Sequence, residues 1–281
     1  MRLRRSLIDA ADRSLGRTAL ATMSTRYARR ATERDVEVFY DRAWIHRIDA
    51  TYIPVSDRFE WRRDWDTALD SIVEPIKENW LFLYEPSPGD TIVDVGAGDG
   101  LDSLVFSRGV GPEGRVLAIE AHPATFVLLE QTCRLNGLAN VIPVQCAVMD
   151  EPGSVTMVEE GPHRDYYSVI GASSAEAPTE DVPATTLDEV CEEHEIERID
   201  LLKMNIEGAE RYALQGAENA LARATHVCVA CHDFTSERDP DLATKAFVVE
   251  FLTQHGFEVV LRDDHALPWV RDHVHAIRPG S

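Results

Sequence analysis

The stretch Thr91-Ile-Val-Asp-Val-Gly-Ala-Gly-Asp-Gly100 joins an apolar run to a turn rich in glycine and aspartate. Gly96 and Gly98 let a ligand approach the main chain where a Cβ would collide. Asp94 ends the apolar run and Asp99 lies in the turn, so negative charge flanks the approach. Downstream, Glu120 closes the run Leu117-Ala-Ile and is followed by Ala121 and His122. A carboxylate at the end of a second strand can accept hydrogen bonds from both hydroxyls of a ribose. It can equally stand exposed before a helix opened by Pro123, favouring that helix's N-terminus. Two further apolar runs end in groups able to move protons: Lys203-Met-Asn-Ile-Glu207 and His232-Asp233.

The glycine turn departs from the dinucleotide fingerprint, because Leu101 stands where a third glycine is needed. Its two acids repel a pyrophosphate and attract a ligand carrying an ammonium and a sulfonium. S-adenosylmethionine (SAM) has both. Glu120 then reads as the ribose acceptor, with Ala121 and His122 beside the adenine. A nucleotide-sugar or NAD-linked enzyme is the disfavoured alternative.

The elements that must position these groups follow from periodicity. Strands are expected at 91–95, 116–120, 141–145, 200–205, 226–231, 257–262 and 272–277, and helices near 100–108, 123–136, 209–223 and 241–255. Gly137 and Gly256 sit where helix C-caps belong. Alternation of strand and helix predicts a mainly parallel, doubly wound sheet, with ligands beyond the carboxyl ends of its strands. Residues 151–199 interrupt the alternation, and Gly153–Val158 with Tyr167–Ile170 predict a short strand pair near the ligand face. Residues 35–88 are rich in aromatics and Asp66–Leu81 has a helical pattern, so a helical cap is expected over the sheet. The same cap can serve as a lid. The domain proper spans 89–281.

Residues 1–34 carry nine arginines against three acids, a net of +6. Leu3, Leu7, Ala11 and Leu15 form a weak apolar stripe. Packing of this arm on the protein's own acidic body, or disorder, is preferred over contact with an anionic membrane surface or a second subunit. The whole chain carries a net charge of −21, which disfavours nucleic acid as a general partner. Five cysteines, an odd number, fit a reducing cytoplasm better than a disulfide framework. No apolar run approaches the roughly 20 residues of a membrane helix.

Three blocks together resemble the FkbM family of SAM-dependent methyltransferases. They are Val93–Gly100; Ile119–Phe126 continuing through Leu135–Val141 to Ala147-Val148; and Ala184–Asp188 followed by Ile199–Glu210 and Leu214–Glu218. The resemblance covers about residues 85–262. It implies a class I methyltransferase, Rossmann-like fold with a seven-stranded, mainly parallel sheet and helices on both faces. It also implies methyl transfer to a hydroxyl of a sugar, glycolipid or secondary metabolite. The expected cofactor-binding set is Asp94, Gly96, Ala97, Gly98, Glu120, Ala121 and Ala147. The family often has an aspartate where Asn205 stands, and that departure keeps a non-catalytic SAM-fold partner protein as an alternative.

On the acceptor side, an alcohol must lose a proton to a base, and histidine titrates near neutrality. His232 is therefore the leading catalytic residue, with Glu207 or Asp233 to orient it. Lys203 and Glu207 are read as a structural ion pair or as caps of the helix that begins near Ala209, and Glu210 as a surface helix residue. No metal is assigned. Cys228 and Cys231 lie three apart on a strand and point to opposite faces, and no partner cluster is evident for His273 and His275. A magnesium ion on Asn205 and Asp233 is disfavoured. A homo-oligomer stays open.

Overall fold

A computed structural model of the chain describes residues 16–56, 65, 69–159, 167–168, 179–235 and 240–280. The N-terminal part builds a small layer of its own. Helix α1 (Arg17–Ala31) buries Leu20, Ser24 and Ala28, which recur at four-residue spacing on one face. That face packs on an antiparallel sheet of β1 (Val36–Asp41), β2 (Ala43–Ile48) and β3 (Thr51–Ser56). Trp44, Ile48 and Trp65 fill the core between them. The cap is thus mixed rather than wholly helical. Its β-branched and aromatic runs, such as Val36-Glu-Val-Phe-Tyr40, alternate inward and outward with the two-residue period of a strand. Helix α2 (Asp70–Trp80) follows and accounts for most of the expected helical stretch. The apolar stripe Leu3–Leu15 lies outside the described residues.

From β4 (Thr91–Val95) the chain alternates. It passes through α3 (Leu101–Val110), β5 (Arg115–Ile119), α4 (Pro123–Asn136) and β6 (Val141–Val144). A second small sheet then forms from β7 (Ala147–Val148), β8 (Gly153–Glu159), β9 (Tyr167–Ser168) and β10 (Thr179–Thr185). β8 and β9 pair as expected, and β10 joins β7 to β8, a strand that the polar sequence of 179–185 hid. After α5 (Leu187–Glu193) and β11 (Ile199–Met204), the expected helix 209–223 is split into α6 (Glu210–Gln215) and α7 (Glu218–Ala222). Two contacts explain the break. The Gly216 carbonyl accepts from Asp188 N (3.1 Å) rather than continuing the helix, and the Asp188 carboxylate caps α7 through Asn219 N (3.0 Å) and Ala220 N (2.7 Å). β12 (Ala224–Ala230), α8 (Lys245–Gln254), β13 (Glu258–Leu261), α9 (Pro268–Arg271) and β14 (His273–Ile277) complete the domain.

The main sheet has the order β13–β14–β12–β11–β4–β5–β6, with β14 antiparallel to both of its neighbours and every other pair parallel. This is the seven-stranded class I methyltransferase arrangement. The order reverses between β4 and β11, so their carboxyl ends open the crevice where a ligand sits.

Alternation along each strand divides the core into two layers. Val93, Val95, Leu202, Met204, Val227 and Val229 enter the layer under α5 to α8. Ile92, Leu201 and Cys228 enter the opposite layer, beneath α2, α3 and α4. That second layer carries an unusual polar stripe. Asp94, Lys203, His273 and His275 are all buried there, close to Trp80. Burial holds both imidazoles neutral, pushing His273 down to about 4 and His275 down to about 3. The cap is fastened to the domain by Asn136, whose side-chain amide exchanges two hydrogen bonds with the Tyr52 backbone (2.9 and 2.8 Å). Among the described residues, no helix is long and apolar enough to cross a membrane.

Candidate active site

At the switch point the loop after β4 passes extremely close to the end of β11. A Cβ on Gly96 would lie 2.0 Å from the Asn205 carbonyl oxygen, and Gly96 has φ +76°. Only glycine meets both conditions. Gly96 N and Ala97 N both donate to Ile119 O (2.9 Å each), which folds the turn back over β5. Above it lies a cleft of about 750 Å³, part of which is open to solvent.

Glu120 forms one wall. Its two carboxylate oxygens accept one backbone hydrogen bond each, from Gly98 N (3.0 Å) and His122 N (2.8 Å). Burial raises its pKa, the two amides oppose that, and the net position is above the ordinary glutamate value. One bond per oxygen leaves lone pairs free for two further donors. Beside Glu120 stand Ala121 and Thr125, and Cys146, Ala147, Val148 and Met157 make the apolar side. Burial pushes the Cys146 thiol up to about 11, so it stays a neutral wall group.

The opposite wall comes from the segment after β11, with Asn205, Ile206, Glu207 and Ala209. Asn205 Oδ1 is a buried acceptor with no hydrogen-bond partner. Glu207 holds a left-handed backbone, φ +51°, uncommon for a residue with a side chain. Its Oε2 lies 3.2 Å from His232 Nε2. On the far side of the ring, His232 Nδ1 lies 3.7 Å from Glu210 Oε1. Glu210 is wholly buried rather than on the surface, and it accepts from Gly208 N (3.1 Å) and Thr244 Oγ1 (3.1 Å). Burial disfavours charge on His232, but hydrogen bonds to Glu207 and Glu210 outweigh it and lift the imidazole to about 10. It is an imidazolium at neutral pH.

The expected site residues therefore fall into three groups. Gly96, Gly98, Glu120, Ala121, Ala147 and Glu207 line one cleft. His232 stands behind Glu207. Asp94, Ala97 and Asp233 are not among the lining residues. Asp94 is fully buried, accepting from Ser103 Oγ (2.6 Å) and paired with Lys203 Nζ (2.8 Å). Asp233 Oδ2 accepts from Thr244 N and Lys245 N (3.0 Å each), at the start of α8.

Lys203 has a different partner from the one expected. Its Nζ meets Asp94, Asp102 Oδ2 (3.2 Å) and the Gly96 carbonyl (2.8 Å), and sits 4.9 Å over the Trp80 ring. Burial opposes its charge, but the two carboxylates outweigh that and raise its pKa. This buried triad ties β11, β4 and α3 to the glycine turn. The signal was present in the sequence: a lysine between Leu202 and Met204 in a core strand must find carboxylates.

The cleft fits a positively charged nucleoside better than a dinucleotide. Glu120 offers a diol acceptor, and Glu207 supplies a second carboxylate on the opposite wall. Among the described lining residues there is no lysine or arginine for a pyrophosphate.

Residues 94–259 match the family described as methyltransferase FkbM domain. The methyltransferase sdnD of Sordaria araneosa is 31% identical over 156 residues, which is 45% of this chain and 60% of that protein. The 31-O-demethyl-FK506 methyltransferase FkbM of Streptomyces tacrolimicus is 29% identical over 209 residues, 64% of this chain and 77% of its own length. The hexuronic acid methyltransferase AglP of Haloferax volcanii is 27% identical over 165 residues, covering 57% and 63%. The chain thus spans less than two thirds of two of these relatives.

Proposed function

The chain belongs to the FkbM methyltransferase family, and from that premise we propose that it moves a methyl group from SAM to a hydroxyl oxygen of a sugar or secondary metabolite. The observation that carries this reading is Glu120, whose two oxygens take one backbone amide each at the wall of a cleft without lysine or arginine among its described lining. The relatives' names support the acceptor class, since they include an O-methyl position and a hexuronic acid.

Bound SAM supplies an electrophilic methyl on a sulfonium. The protein must hold the donor, align an acceptor oxygen and take its proton. Glu120 holds the ribose hydroxyls, and the Gly96 turn brings main chain against the donor. Glu207, lining the cleft, takes the acceptor proton. His232 already carries its proton at neutral pH, so it serves as the positioning residue that orients Glu207 and offsets Glu210. This reverses the order of roles expected from residue types alone. Asp94 and Asp233 act through structure, one under the turn and the other at the start of α8.

Calorimetric titration with SAM, S-adenosylhomocysteine and NAD tests the donor. Binding of the first two and none of NAD is expected; NAD binding without SAM would overturn the proposal. Comparing glycans and metabolites of cells with and without the gene, for species differing by the mass of one CH2, identifies the acceptor.

A further inference from the structure

Cys228, His273 and His275 form a cluster for which methyl transfer has no use. One ligand-capable atom of each lies within 4.8 Å of those of the other two, and all three residues are buried. The grouping begins in the sheet register. Cys228 on β12 is the cross-strand partner of His275 on β14, and His273 lies two residues along the same face. The segment that ends α2 closes over them. Trp80 stacks on His273 with centroids 4.7 Å apart, and Phe82 lies 5.2 Å from the His275 ring. The Asn79 carbonyl accepts from Cys228 Sγ (3.6 Å) and stands 3.2 Å from His273 Nδ1. His275 is 1% exposed, and its Nε2 has no hydrogen-bond partner. A buried polar atom left unpaired is costly, and native structures rarely keep one without a reason.

We propose that Cys228, His273 and His275 bind one thiophilic d10 metal ion, zinc(II) or copper(I), in a closed site between the main sheet and the end of α2. A thiolate with two imidazoles is a soft to borderline ligand set. The absence of any carboxylate from the set excludes magnesium and calcium, which need oxygen ligands. Metal–ligand bonds of about 2.0–2.1 Å to nitrogen and about 2.3 Å to sulfur require the three atoms to draw together slightly. Binding breaks the Cys228 S–H bond, forms an S–metal bond and releases the proton to solvent. The nearby Lys203 charge is no obstacle, since Asp94 and Asp102 already offset it. Because the cluster is fully buried and apart from the SAM cleft, the ion has a structural role, fixing β12 to β14 beneath the cap.

The test uses the full chain, stripped with chelator under reducing conditions. It is titrated anaerobically with Zn2+ against a chromophoric chelator, with Cu+ against bicinchoninate, and with Co2+ as a spectroscopic probe. One equivalent of Zn2+ or Cu+ is expected, and Co2+ should give a thiolate-to-metal charge-transfer band. Cys228→Ser and His275→Phe should each abolish the band, while Cys231→Ser, a buried thiol outside the cluster, should keep it. No stoichiometric binding by the wild-type chain would overturn the proposal, and so would a band that survives in Cys228→Ser. The wild-type titration decides the matter even if a variant fails to fold.

Discussion

Glu207 and His232 stand 3.2 Å apart, Oε2 to Nε2, and Glu207 reaches that contact from a left-handed backbone at φ +51°. Such a conformation costs a non-glycine residue about 1–2 kcal/mol. Its presence at the wall of the cleft is what separates this pair from an ordinary ion pair. The same ring faces buried Glu210 on its other side, so removing the imidazole leaves one buried carboxylate uncompensated and the cleft carboxylate unguided.

His232→Ala should therefore lower turnover on the order of a hundredfold or more, with SAM affinity nearly unchanged. Stability carries a pH signature. The folded imidazole titrates at about 10, above its ordinary value of 6.5. Its stabilising effect is complete below pH 6.5 and lost as pH rises through 10. Denaturant melts of wild type and variant should differ most below pH 6.5 and converge at alkaline pH. A variant with normal turnover would remove His232 from the mechanism. A stability gap constant with pH would mean that the ring is neutral in the folded protein.

Much of this site was legible in the sequence because strand ends and glycine turns are local signals. The runs ending at Val95, Ile119, Met204 and Ala230 are short, nearly continuous apolar stretches buried on both faces, which read as core strands of a parallel sheet, so the sheet and the positions of Glu120 and Glu207 follow. What was not legible is which neighbour each charged side chain meets. Asp94 looked ligand-facing because it precedes Gly96, yet strand alternation turns it into the layer beneath α2, where Lys203 waits. Cys228 lies dozens of residues from His273 and His275 and meets them because β14 runs antiparallel beside β12. The cap sheet β1–β3 was hidden for another reason: its aromatics fit a helix and a half-buried strand equally well.

The glycine turn offers a paired test. A methyl group on Gly96 would collide with the Asn205 carbonyl at 2.0 Å, whereas one on Gly98 meets nothing within 4 Å. Both glycines have positive φ, so both substitutions strain the backbone by about 1–2 kcal/mol. Gly96→Ala should abolish SAM binding or prevent folding, while Gly98→Ala should fold and lose affinity only modestly. Calorimetry and circular dichroism on the two variants check this. Equal effects would mean that strain alone, not the close approach of β4 to β11, governs the turn.

Lys203 lies between two buried or partly buried carboxylates and the Gly96 carbonyl. Removing one member of such a cluster leaves uncompensated charge, at a cost of about 3–5 kcal/mol. Lys203→Met should lower unfolding stability by that amount in urea melts. Adding Asp94→Asn and Asp102→Asn to it should recover much of the loss, because the orphaned charges go with the cation. A single variant within about 1 kcal/mol of wild type would show the triad to be well solvated.

Glu120 sets function against stability. Burial holds its pKa above the ordinary value, so the ionised side chain is less favourable in the folded protein than in the unfolded chain. A raised carboxylate contributes stability that is present below the unfolded pKa and lost as pH rises through the folded one. At neutral pH the charge is therefore a burden on the donor-free protein, which the Gly98 and His122 amides only partly relieve. Glu120→Gln removes the charge and keeps one acceptor oxygen. The variant should melt at the same temperature as wild type or higher at neutral pH, and lose its advantage in acid. Its SAM affinity should nonetheless fall, on the order of tenfold or more, because a carboxylate accepting from hydroxyls is replaced by an amide that must turn one donor toward them. Thermal melts at two pH values and a SAM titration read both halves. Unchanged affinity would take Glu120 out of the ribose contact, and a large loss of stability at neutral pH would mean that its role is to hold the turn.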